Sequence, residues 1–106
     1  MVTIILKTRR GVERERVSFE GNDRFLRRSD PSFLHLSQLG EYSYMVLDAD
    51  DMAGFIGELH RIRSERRDPA EVGHIDEIVR LAQLCSADDG LLFLAPVIVP
   101  RGRTAM

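Results

Sequence analysis

Cysteine is almost absent from this chain: Cys85 is the only one in 106 residues. With no second thiol in the sequence, an internal disulfide is excluded, as suits a reducing compartment, so the fold must rest on its core. Long apolar runs are missing too. The longest, Leu91–Val99, is interrupted by Pro96 and is far too short to span a bilayer. The opening MVTIILKTRR places its apolar residues before its basic ones, the reverse of a secretory signal, so a cytoplasmic protein is expected. There is no internal repeat, no low-complexity tract and no linker rich in Gly, Ser or Pro. The chain reads as one domain over residues 1–99 with a tail over 100–106.

The marks of catalysis and metal binding are lacking as well. His35, His60 and His74 have no Cys, His or carboxylate partner at a metal-ligand spacing. His35 falls in an apolar stretch and reads as a surface or satisfied core residue, while His60 and His74 fall on different helices. No G-x-S-x-G elbow occurs, and the scattered glycines form no phosphate-cradling loop. The carboxylates at Asp76 and Glu77 are helix neighbours diverging by about 100°, a solvated face rather than an acid–base pair. The expectation is a non-enzymatic protein with no cofactor and no metal. Cys85, on an apolar helical face, reads as a core residue rather than a reactive thiol.

What is present is a 43% apolar, 30% charged composition, that of a folded domain. Val2–Thr8 is a β-branched strand, and Val12–Phe19 a highly charged one whose uneven alternation marks an edge or a bulge. Phe33–Leu39 and Tyr42–Leu47 read as a third and a fourth strand joined by a tight turn at Gly40-Glu41. A helix follows from Asp48 or Ala49 to Arg66, with Met52, Phe55, Ile56, Leu59 and Ile62 on one face. Gly54 and Gly57 inside it either permit close packing or weaken it. Asp68-Pro69 starts a second helix, whose stripe Ile75, Ile78, Val79, Ala82 and Cys85 runs to about Ser86. Leu91–Ala95 is a continuous apolar strand suited to the middle of a sheet. The order ββββααβ predicts a two-layer α+β domain: a mainly antiparallel sheet of four to five strands with a helical hairpin across one face.

The net charge of −2 conceals a polarity. Lys7–Arg28 carries +4 and Glu41–Asp89 carries −7. In the basic part Arg9, Arg10, Arg14, Arg16, Arg24, Arg27 and Arg28, with Phe19 and Phe25 interleaved, form a candidate nucleic-acid face. In the acidic part Asp48, Asp50 and Asp51 crowd a helix entrance, where they cap N–H groups and suit the helix dipole. They lack the glycine and distal glutamate of a calcium loop.

From Phe33 to Ala95, an apolar aromatic strand leads into an acidic helix start. A helix containing Glu58-Leu59 follows, then a charged hinge, a second helix ending near Cys85 and a Leu/Phe strand. This layout resembles small α+β immunity proteins encoded beside bacterial polymorphic toxins. The resemblance implies stoichiometric inhibition: binding to the catalytic domain of a toxin. Glu41, Tyr42, Tyr44, Asp48, Asp50 and Asp51 are then the candidate partner-binding residues. Two alternatives stand beside it: a nucleic-acid-binding accessory protein using the arginines, and a homodimer pairing through the charged second strand or Val97–Val99.

Overall fold

The two apolar runs with the fewest charges become the two inner strands. In a computed structural model, which describes residues 2–19, 21, 23–40 and 44–96, the chain forms β1 (Thr3–Lys7), β2 (Glu13–Ser18), β3 (Met45–Asp48), α1 (Met52–Glu65), α2 (Pro69–Asp88) and β4 (Leu91–Ala95). The strands make one sheet in the order β2-β1-β4-β3, antiparallel at every pairing. The architecture is the two-layer α+β one that the sequence implies, with one strand fewer. Charged β2 is indeed an edge strand, and a register shift between Leu6 and Lys7 gives it the irregularity that its uneven alternation foretells. LLFLA sits in the interior of the sheet between β1 and β3.

Side chains alternate across the sheet, so the strands divide their residues between two faces. Ile4, Leu6, Leu47, Leu92 and Leu94 join the helices in one buried cluster with Met52, Phe55, Leu59, Ile62, Ile75, Ile78 and Cys85. Each such fully buried aliphatic or aromatic side chain contributes on the order of 1.5–3 kcal/mol. The opposite face carries Ile5, Lys7, Val46, Leu91 and Phe93, in register across β1, β4 and β3. Among the described residues no helix covers it, and Lys7 Nζ lies 4.3 Å from the centre of the Phe93 ring.

Both helix entrances are built by aspartate. Asp48 and Asp51 form a reciprocal capping box around the short 3-10 turn Ala49–Asp51 that leads into α1. At α2, the Asp68 carboxylate accepts from Ala70 N at 2.9 Å and Pro69 fills the first helical position. That helix runs two residues past Ser86 and ends where Asp89 turns left-handed, with φ 53°. Gly90 follows against β1: a Cβ there would stand 2.8 Å from the Lys7 carbonyl oxygen. Outside the core, α2 is tied to edge strand β2 by Arg80–Glu15 at 2.8 Å and Arg14–Asp88 at 2.6 Å.

Phe33–Leu39 is not a strand. It is a run of turns containing the 3-10 segment Leu36–Gln38, and there is therefore no hairpin through Gly40. Its buried residues are Phe33, Leu36 and Leu39, while Leu34 is 65% exposed. That period of three belongs to a 3-10 turn, not to a pleated strand. Phe33 is held from outside by the guanidinium of Arg61, 4.0 Å from its ring centre, and by that of Arg28 at 5.1 Å. The strand expected over Tyr42–Leu47 is found as β3, three residues later at its start. Val97–Val99 and the tail 100–106 lie outside the described residues.

Candidate functional site: an acidic end and an open sheet edge

The capping box immobilises two of the three aspartates at the entrance of α1. Asp48 Oδ1 accepts from Asp50 N at 3.0 Å, and Asp51 Oδ2 accepts from Asp48 N at 3.0 Å. Asp50 is exposed, and among the described residues no hydrogen bond holds its carboxylate. The C-terminus of α2 brings Asp88 and Asp89 to the same end of the molecule, where Arg14 and Arg9 pair with them at 2.6 and 3.0 Å. Hydrogen bonding to Asp89 raises the Arg9 guanidinium above its ordinary value, with Asp48 and Asp50 adding to the effect. The same fields reach Cys85, whose thiol is pushed up first by burial and then by Asp48. It is a core residue, as its helical position implies.

Of the candidate partner-binding residues, Glu41 and Tyr42 fall outside the described residues. Tyr44 is 61% exposed and stands at the opposite end of β3 from Asp48, with Val46 between them at 49% exposure. The segment Tyr44–Asp48 thus runs from an exposed aromatic just before β3 to a fixed acidic knob at its end.

The arginines do not assemble into one basic face. Arg9 and Arg14 join the acidic end; Arg16 pairs with Glu13 at 2.6 Å, and Arg28 reaches Glu65, on α1, at 2.7 Å. Arg27 Nη1 donates to the Gly40 carbonyl at 3.2 Å. Arg10 and Arg24 are exposed. A cavity of about 320 Å³ lies along Arg27, Arg28, Ser29, Ser37 and Leu39. Arg28 is engaged there by Glu65 and by the Phe25 carbonyl.

Two polar centres escape the sequence reading. In the first, Glu58 is only 5% exposed. It accepts from His35 N at 3.0 Å, from Leu36 N at 2.9 Å and from His35 Nδ1 at 2.5 Å. Because a carboxylate only accepts, Nδ1 carries the hydrogen, and Nε2 faces Asp51 Oδ1 at 3.6 Å. The available signal was Glu58 itself, three residues after Phe55 and therefore on the apolar side of α1. In the second centre, His74 is 7% exposed, stacked on Phe19 with ring centres 5.0 Å apart and edge-on to Phe25. Among the described residues its Nε2 is buried without a hydrogen-bond partner, and burial lowers its pKa against the opposing pull of Asp23. Among the described residues no group of His, Cys, Asp or Glu is arranged to hold a metal ion.

No protein-family model, no curated protein and no solved structure matches this chain. No helix among the described residues is long and apolar enough to cross a membrane.

Proposed function

We propose that this chain is a non-enzymatic, protein-binding inhibitor of the immunity type, which neutralises a bacterial toxin by seating its acidic end on the toxin's catalytic domain. The observation that carries the reading is the fixed acidic end: Asp48 and Asp51 are held by the cap, and Asp50 is exposed beside them with no hydrogen bond to its carboxylate among the described residues. Toxins that act on nucleic acid or nucleotides have basic clefts. A fixed acidic surface matches such a cleft, speeds encounter and loses little freedom on docking. Exposed Tyr44 supplies the amphipathic contact area that binding hot spots favour. The reducing cytoplasm is the compartment in which a chain with one buried thiol fits.

Nucleic-acid binding ranks lower, because Arg9, Arg14, Arg16 and Arg28 each spend charge on a carboxylate of the same chain. The test is capture by the tagged full chain from its own cytosol, washed at low and at high salt. The captured protein is then assayed for activity with and without added chain. One stoichiometric protein that is inhibited by the wild type and released by Asp50→Lys supports the reading. Nucleic acid that elutes as salt rises, or a captured protein whose activity is unaffected, overturns it.

A further inference from the structure

Arg16 grips Glu13, and Arg63 grips Asp76, through the same edge of the guanidinium: Nε–H and Nη2–H side by side. That planar fork fits two oxygens of one carboxylate or phosphate. Arg27 is different. It is half-buried, yet its side chain is held by a single bond, from Nη1 to the Gly40 carbonyl at 3.2 Å. Among the described residues no carboxylate lies within ion-pair distance of it, and its Nε–Nη2 edge has no acceptor.

Arg27 stands on the cavity of about 320 Å³ that Arg28, Ser29, Ser37 and Leu39 also line. The Arg28 guanidinium is fixed on two sides. Its Nε donates to the Phe25 carbonyl at 2.9 Å and its Nη2 to Glu65 at 2.7 Å, which leaves Nη1. The hydroxyls of Ser29 and Ser37 hold no hydrogen bond among the described residues. Two carboxylates weigh against the arginines. Glu65 reaches in from the end of α1, but its side chain is 45% exposed, and solvent weakens such a pair. Asp30, beside Ser29 in sequence, is turned to Ser32 N at 2.9 Å. The cavity therefore collects two guanidiniums and two hydroxyls against one replaceable carboxylate, and a backbone carbonyl positions each guanidinium.

We propose that this cavity binds a phosphate monoester. A carboxylate offers two oxygens, and Glu65 already supplies one such group to Arg28. A phosphate monoester offers three terminal oxygens and nearly two negative charges at neutral pH. Those are acceptors enough for the fork of Arg27, the Nη1 of Arg28 and both hydroxyls together. Guanidinium and hydroxyl groups are the donors with which proteins commonly hold phosphate oxygens. Because carbonyls already position both arginines, little side-chain freedom is lost on binding. The cavity has the volume of about ten waters, more than a phosphate fills. The esterified group therefore stays inside it, with Leu39 as an apolar wall. Glu65 is an internal competitor: the incoming phosphate takes over Arg28, and the displaced carboxylate turns to solvent. The site lies at the C-terminal end of α1, about 20 Å from the acidic cap at its start.

Two-dimensional NMR of the full chain tests this, with inorganic phosphate, a nucleoside monophosphate and a phosphoserine peptide as the probes. Saturable shifts are expected at Arg27 Nε–H and at the amides of Ser37 and Leu39. The dissociation constant should be on the order of 1 mM for inorganic phosphate, and at least about threefold lower for one of the two esters. A tighter nucleotide assigns the ester to a small molecule, and a tighter peptide to a phosphorylated protein. Ser37→Ala removes a hydroxyl that holds nothing in the fold and should weaken binding at least about threefold. Arg27→Lys keeps the charge, loses the fork and should weaken it about tenfold. Glu65→Gln removes the competitor and should tighten it about threefold. The same spectra report that each variant is folded. No saturation by about 20 mM phosphate overturns the inference. So do shifts centred on exposed Arg10 instead of the cavity, unaltered affinity in folded Arg27→Lys, or weaker binding in Glu65→Gln.

Discussion

Glu58, on α1, binds His35 twice, taking its backbone N–H at 3.0 Å and its Nδ1–H at 2.5 Å. The same carboxylate takes the N–H of Leu36 at 2.9 Å. One buried acid thereby docks the irregular segment 33–39 onto the helix and places Phe33 and Leu36 in the core. Glu58→Ala would strand those donors away from water and should cost about 2–4 kcal/mol. Urea unfolding with an unchanged m-value would measure it; a loss below about 1 kcal/mol would mean that water replaces the carboxylate.

The His35 ring explains one of the two helix glycines. A Cβ on Gly54 would lie 2.9 Å from His35 Cε1, whereas one on Gly57 would meet nothing within 4 Å. Gly57→Ala should therefore stabilise the protein by about 0.5–1 kcal/mol, the ordinary helical gain. Gly54→Ala should lose that gain or reverse it, because Glu58 prevents the ring from yielding. In the double variant His35→Ala/Gly54→Ala, the alanine at 54 should be favourable relative to His35→Ala alone. Thermal denaturation of the set decides the matter.

His74 should give the stability curve a slope at mildly acidic pH. Burial holds its folded pKa below the ordinary value of 6.5. Below that value the unfolded chain binds the proton more readily than the folded one, so stability falls as pH drops from about 6.5 through the folded pKa and is regained on return to neutrality. His74→Phe, placed between Phe19 and Phe25, should flatten this segment of the curve. An unchanged slope in the variant would assign the effect to another group.

At the acidic end, stability and recognition should separate. Asp48→Ala removes the helix cap and should cost about 1 kcal/mol. Asp50→Lys touches no cap side chain and should cost no more than about 1 kcal/mol, through the lost favourable charge at the helix entrance, while slowing association with a captured basic partner, most visibly at low salt. Equal slowing at high salt would point to a lost contact rather than a lost field.

The local signals in the chain were sufficient for both helices, because caps, dipole and apolar period act over a few residues: Asp48 and Asp68-Pro69 mark the starts, and every member of the stripe Ile75, Ile78, Val79, Ala82 and Cys85 is buried. They were sufficient for β1, for interior β4 and for the charged edge β2, because uninterrupted apolar runs need cover and charged ones need water. FLHLSQL was different. Its apolar residues fit a strand as well as a turn, and the choice fell to Glu58, more than twenty residues away, which takes the N–H groups that a strand would have given to a ladder. The arginines were equally undetermined, since only the packing of α2 beside β2 decided that Arg14 would meet Asp88 and that Glu15 would meet Arg80. Local order followed from neighbours along the chain; the pairing of charges followed from neighbours in space.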